Sequence, residues 1–341
     1  MLTTIGWLLA GFLISLFVAR GAIGYARRRG MLDLPGQRRS HHVPTPRGGG
    51  VGIVVAMLLC LPGVAWSVHA AAPSPRLFES LCAALALVAL AGWWDDHHPL
   101  PVLPRLAAQL LAVTLFSVML LGGGLSWWWL PLLLISGVWS INLHNFMDGI
   151  DGLLAQQAIF VGVGVTALAT AAGEPALALV AACLAVSALG FWCFNRPPAR
   201  IFMGDVGSGS VGLLIFAFSA MLWRVHQVLL WPALILSSAF VVDAGLTLLT
   251  RIWLGRRWYA AHREHLYQWL VRRGGNHVRV DAAYLSWNVL IAAPLAWLAW
   301  SHPRAAFAVT IAVYLGAAAM WLALKRRLLR RPPSKAPHVT A

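Results

Sequence analysis

The stretch LFESLCAALALVALAGWWDDHHPLP, residues 77–101, decides the fold. Apart from Glu79 it is apolar as far as Gly92; then come Trp93 and Trp94, and directly after them Asp95 and Asp96. Crossing the hydrocarbon core of a bilayer takes about 20 apolar residues, and tryptophan gathers where that core meets water. The stretch therefore predicts a membrane helix that ends at an aqueous face and presents two carboxylates there. Adjacent carboxylates repel one another unless a proton or cation is shared. Hard divalent ions such as Mg²⁺ take oxygen ligands and keep waters and substrate phosphates as well. A simple helix-end stop is the competing explanation for the pair taken alone.

Similar apolar runs recur along the 341 residues, at about 2–19, 48–66, 77–94, 103–121, 126–142, 153–172, 176–194, 209–223, 228–250, 282–300 and 305–324. The chain is 60% hydrophobic and 11% charged, against about 25% charged in soluble domains. The expectation is an all-α polytopic membrane protein with eleven spans in a single domain, residues 1–324, and a basic, Pro-containing tail, residues 325–341. Positive charge follows the first apolar run instead of preceding it, which predicts a retained helix with its N-terminus outside. Loops 20–47, 95–105, 143–152, 195–208 and 251–281, with the tail, then face the cytoplasm and hold 23 of the 26 Lys and Arg, leaving only Arg76, Arg224 and Arg304 outside. That asymmetry follows the positive-inside rule and accounts for the net charge of +15 without nucleic acid. The four cysteines sit in apolar runs without metal spacing and read as packing residues.

Eight of the eleven acidic residues fall on or beside the cytoplasmic segments. Asp148 and Asp151 lie in NLHNFMDGIDGL; if that segment is helical, a spacing of three puts both on one face, with Asn142 and Asn145 spaced alike. Asp205 lies in PARIFMGDVGSGS, where glycines and Ser208 open a helix, a natural anion site. Arg38, His41 and Arg47, in DLPGQRRSHHVPTPRGGG, suit a phosphate or lipid-headgroup loop as well as a basic surface loop; His41 and His42 lack the further ligands zinc needs. His262, Arg263 and His265, in AHREHLYQWLVRR, could contact a diphosphate, or belong to a basic amphipathic surface helix. Asp243 lies inside a span, where carboxylates are functional candidates. A pairing with Arg251 is unexpected, because two helical turns separate them, and its role stays open.

In this order the motifs resemble the polyprenyl-phosphate N-acetylhexosamine-1-phosphate transferases, over about Asp33 to Gln268. The resemblance implies that Asp95 and Asp96 act near the metal and the lipid phosphate, and that Asp205 ligates Mg²⁺ (Mn²⁺ as substitute), with Asp95 as a second ligand. It further implies that Asn142, Asn145, Asp148 and Asp151 form the nucleotide-sugar motif and that His262, Arg263 and His265 receive the donor. HREHLYQ replaces the three-histidine stretch of the lipid I synthases, which points to the O-antigen-initiating branch, with UDP-N-acetylglucosamine or a 6-deoxy relative such as N-acetylfucosamine or N-acetylquinovosamine as donor. The basic residue that some members carry four positions after the aspartate pair is missing, and Arg105 is the candidate to replace it. The expected partners are undecaprenyl phosphate, a UDP-N-acetylhexosamine, the lipid bilayer of the inner membrane and, as a candidate assembly, a homodimer. The rivals are a muramoyl-pentapeptide-type transferase, a flippase of lipid-linked sugars, and a silent lipid-binding scaffold. A flippase predicts a charged mid-membrane path and related halves, whereas only Asp243 lies deep and no halves are visible.

Overall fold

Apolar runs without water to bond their backbone must satisfy it internally, so helices form at all eleven expected places. The computed structural model describes residues 2–33, 43–67, 75–256 and 262–330. Its helices are α1 (Leu2–Arg29), α2 (Val51–Ser67), α3 (Pro75–His97), α4 (Val102–Leu121), α5 (Leu130–Phe146), α6 (Leu153–Ala171), α7 (Pro175–Asn195), α8 (Asp205–Val225), α9 (Leu230–Leu236), α10 (Ser238–Trp253), α11 (Leu266–Arg272), α12 (His277–Trp287), α13 (Ala293–Ser301) and α14 (Ala306–Arg330). A two-residue ribbon pairs β1 (Leu32–Asp33) with β2 (Thr45–Pro46), Asp33 opposite Thr45.

The expected eleven spans become eight among the described residues: α1, α3, α4, α6, α7, α8, the run His277–Ser301 and α14 are long and apolar enough to cross a bilayer. A ninth is the pair Gln227–Leu236 and Ser238–Trp253, bent by 76°. Helices α2 and α5 have 17 residues each, about 26 Å at 1.5 Å per residue, short of a core about 30 Å thick. Several expected loops are in part helix. α1 continues to Arg29, α10 to Trp253 and α14 to Arg330, while α11 and α12 form within 251–281. Helical hydrogen bonding there continues beyond the apolar run into charged residues, where hydropathy alone stops.

α8 is the axis of the bundle. It is buried along nearly its whole length and packs against α3 and α5. Its first turns, DVGSGSVG, are small, which lets neighbouring backbones approach. The segment after β2 uses that space: Gly49 N–H donates to Phe202 O at 2.9 Å, and Gly50 N–H to Met203 O at 2.8 Å. A Cβ on Gly50 would lie 2.4 Å from Gly207 Cα. The Gly48–Gly50 triplet is thereby a packing surface against the start of α8. On the far side, Gln157 joins two breaks in the helical ladder: its amide donates to Leu236 O at the α9–α10 bend (3.1 Å), and its carbonyl accepts from Asn288, in the π-turn between α12 and α13 (2.7 Å).

Gly50→Ala forces a methyl onto backbone, and overpacking of this kind costs about 1–3 kcal/mol; Gly245→Ala meets nothing within 4 Å. Thermal unfolding in detergent should show a clear loss for the first and none for the second. An unchanged midpoint for Gly50→Ala would remove the close approach.

Candidate functional site

The site begins with the way α8 starts. The first N–H groups of a helix lack intrahelical partners, and they form the positive end of its dipole. Here Asp96, at the end of α3 and 3% exposed, supplies both partners: Oδ1 accepts Asp205 N–H and Oδ2 accepts Val206 N–H, each at 3.1 Å. Gly204 precedes them with φ +74°, and a Cβ there would sit 2.6 Å from Asp96 Oδ2. Arg47 holds the other side, donating from Nη2 to Asp96 O.

With its backbone so fixed, Asp205 turns its carboxylate toward α5 and α4. Its Oδ1 accepts from Asn145 Nδ2 at 2.6 Å, and the same amide reaches Ser208 Oγ at 2.9 Å. Its Oδ2 lies 3.8 Å from Arg105 Nη1, which is also 2.9 Å from Asp95 Oδ2. Asp95 Oδ1 accepts Leu100 N–H at 2.6 Å. Arg105 thus stands between the Asp95 and Asp205 carboxylates. Gln109, which the sequence reading passed over, accepts from Asn142 at 2.7 Å. A polar side chain in the apolar run of α4 was the available signal. Arg105, Gln109, Asn142, Asn145 and Asp205 line a cavity of about 20 Å³, room for about one water.

The expected shared helix face for Asp148 and Asp151 does not form. α5 ends at Phe146, and the chain turns through Gly149 and Gly152 before α6. Asp151 Oδ2 accepts Ala199 N–H at 3.0 Å and lies 3.2 Å from His277 Nδ1, which ties the turn to the loop before α8 and to α12. Asp148 stays on the side of the other carboxylates. Burial first, then the negative charges of Asp205, Asp96 and Asp151, hold its pKa well above the ordinary value.

The last loop docks on this turn. Tyr267 Oη donates to Phe146 O at 2.9 Å, and the rings of His265 and Phe146 stack with centroids 6.1 Å apart. His262 stands 4.9 Å from His265. Burial and surrounding positive charge lower the pKa of His262 to about 4, and burial lowers that of His265, so both imidazoles are neutral near pH 7. Arg263 faces another way, into a basic cavity beside Arg251 and Arg272. What places the loop is Asp243. This buried carboxylate accepts Leu266 N–H at 2.7 Å and Tyr267 N–H at 3.3 Å, the opening amides of α11, together with Tyr284 Oη at 2.7 Å and Trp321 Nε1 at 3.0 Å. Arg251 pairs with Glu264 instead. Arg38 and His41 lie outside the described residues.

Among the described residues no three His, Cys, Asp or Glu side chains converge as a metal cage. The donor set still fits Mg²⁺, which uses one or two carboxylates and completes its shell with water and substrate phosphates. Asp95 and Asp205 flank a single guanidinium nitrogen, so a positive charge already stands between them.

A family model described as glycosyl transferase family 4 matches residues 78–223, from α3 through most of α8. Similar proteins include the decaprenyl-phosphate N-acetylglucosaminephosphotransferase of Mycobacterium leprae, 28% identical over 91% of this chain and 88% of that one. The phospho-N-acetylmuramoyl-pentapeptide-transferase of Deinococcus radiodurans is 33% identical over 61% of this chain and 72% of its own length.

Hydrogen bonds to a charged group contribute about 1.5–3 kcal/mol. Asp243→Asn should therefore raise amide exchange at Leu266 and Tyr267 about tenfold or more, measured by hydrogen–deuterium exchange. Unchanged exchange would release the loop from Asp243. For Asp148 the raised pKa means that the folded state binds its proton more tightly than the unfolded chain does. That stabilisation is complete below the ordinary carboxylate value of 3.8 and fades as pH rises through the folded pKa. Asp148→Asn should flatten the pH dependence of the unfolding midpoint and raise the midpoint near pH 7. A midpoint that falls there would contradict this.

Proposed function

We propose, on the premise that the chain belongs to glycosyl transferase family 4, that it transfers an N-acetylhexosamine 1-phosphate from a UDP-sugar to undecaprenyl phosphate and releases UMP. The observation that carries this reading is the meeting of Asp95, Asp205, Asn145 and Arg105 at one end of the bundle, around the cradle that starts α8. In the reaction an oxygen of the lipid phosphate bonds to the β-phosphorus of the donor, and the bond from that phosphorus to the bridging oxygen breaks, so UMP leaves with the electron pair. Such transfers depend mostly on positioning and electrostatics.

The chain's residues divide that work. Asp205, with Asp95 beside it, would hold Mg²⁺ or Mn²⁺, whose contribution is to offset negative charge at the leaving phosphate. Asp95 also orients Arg105, whose guanidinium is the nearest fixed cation for an incoming phosphate. Asp96 spends both its oxygens on the α8 amides and acts by holding Asp205 in place. Asn142, Asn145 and Asp148 face the nucleotide sugar, and Asp151 braces their turn. The neutral ring of His262 offers a flat, hydrogen-bonding surface to the donor, while His265, 2% exposed and stacked on Phe146, holds the loop in place behind it. The site faces the cytoplasm of a bacterial inner membrane in this reading, supported by the lysines and arginines at that end, and the product starts O-antigen or a related envelope polysaccharide. A muramoyl-pentapeptide donor is the second reading, favoured by the Deinococcus radiodurans relative.

A panel of UDP-N-acetylhexosamines and UDP-muramoyl-pentapeptide, each with undecaprenyl phosphate and Mg²⁺, separates the readings by the mass of the lipid product. UMP release is expected with N-acetylglucosamine or a 6-deoxy relative. Asp205→Asn should lower it about a hundredfold or more while the protein still inserts and unfolds cooperatively. No UMP with any donor would overturn the transferase reading, and lipid-linked muramoyl-pentapeptide as product would select the second one.

A further inference from the structure

A second basic feature lies outside the cradle. Between α10, α11 and α14 is a cavity of about 540 Å³, lined in part by Arg251, Arg256, Arg263, Arg272, Lys325 and Glu264. Glu264 is the one carboxylate among the described lining residues and is already bound to both Arg251 and Arg256, leaving an excess of four positive charges. The crowding is felt within the set: burial first, then the charges of Arg263 and Arg273, lower the Arg272 pKa from its ordinary value. At the cavity wall the Trp269 ring carries the Arg272 guanidinium 4.2 Å from its centroid and the Lys325 ammonium at 5.9 Å. Like charges converging on one space repel one another, and an anion entering it relieves all of them at once.

The shape of the rim says which anion. Leu254 and Leu329 close the cavity on one side, 53% and 56% exposed. From there the apolar flank continues up α14 through Leu322, which is exposed and shares a helix face with Lys325 and Leu329. A soluble phosphate has no use for such a flank. A phospholipid does: its phosphate can enter the basic space while its acyl chains lie along the apolar faces, as in other basic pockets at the ends of membrane helices. We propose that this cavity is a binding site for the headgroup of an anionic phospholipid of the surrounding leaflet, distinct from the cradle at the start of α8. Through Glu264 and Arg263 the bound headgroup touches the same loop that Asp243 holds.

The test uses the full chain, purified and offered phosphatidylglycerol or phosphatidylcholine, with retained lipid counted by native mass spectrometry. Wild type should retain phosphatidylglycerol in preference. Each near-surface cation accounts for about a factor of five toward anionic lipid, so the double variant Arg272→Gln, Lys325→Gln should lower that preference about 30-fold. The charge-preserving double variant Arg272→Lys, Lys325→Arg should keep it, which separates lost charge from lost folding. Equal retention of the two lipids by wild type, or an undiminished preference in the glutamine variant, overturns the proposal. Displacement of the lipid by free UDP does so too, because the cavity would then belong to the donor.

Discussion

The cap that Asp96 places on α8 is the contact on which the rest of the site depends. A carboxylate at 3% exposure is costly to bury unless its oxygens are hydrogen-bonded. Both are, by the first two amides of a helix whose dipole favours negative charge at that end. The exchange fixes α3 against α8 to within a hydrogen bond, and Gly204 and Gly50 leave the room for it. Once the start of α8 is fixed, the direction of the Asp205 side chain follows, and with it the relation of Asn145, Arg105 and Asp95. The two adjacent aspartates are thus chemically unlike. One faces the backbone and sets geometry, while the other faces a cation and the space in front of it.

Much of this was legible in the chain. Asp95, Asp96, Asp205 and Asn145 could be placed together because each sits where an apolar run meets water, and alternating runs bring such ends to one side. The spacing of Asp148 and Asp151 misled, because a separation of three specifies a common face only inside a helix, and α5 ends at Phe146, before either aspartate. Asp243 was unreadable for another reason. Its partners Leu266, Tyr284 and Trp321 stand 23, 41 and 78 positions away, and no local pattern records a contact between distant helices. The helices expected at α2 and α5 form but have 17 residues each, since hydropathy marks that a segment is apolar and leaves its helical length to neighbouring turns and prolines.

Two regions of different character meet at the turn after α5. The cradle is built of short polar bonds between long helices buried in the bundle. The last loop is held by fewer elements, a seven-residue α11 and a network of charges around Glu264. Its histidines are neutral and stacked, its arginines turned to the other side.

The tie from Trp321 to Asp243 also bears on how the protein is made. Helices insert in the order of synthesis, so the cradle of α3, α5 and α8 has all its parts in the membrane by residue 225. The loop carrying His262 and His265 does not. Its anchor at Asp243 acquires the indole of Trp321, and Glu264 the ammonium of Lys325, only after α14 has followed every other helix into the bilayer. A nascent chain would then hold the cradle assembled and the last loop loose, and the two would come into register together with the last helix.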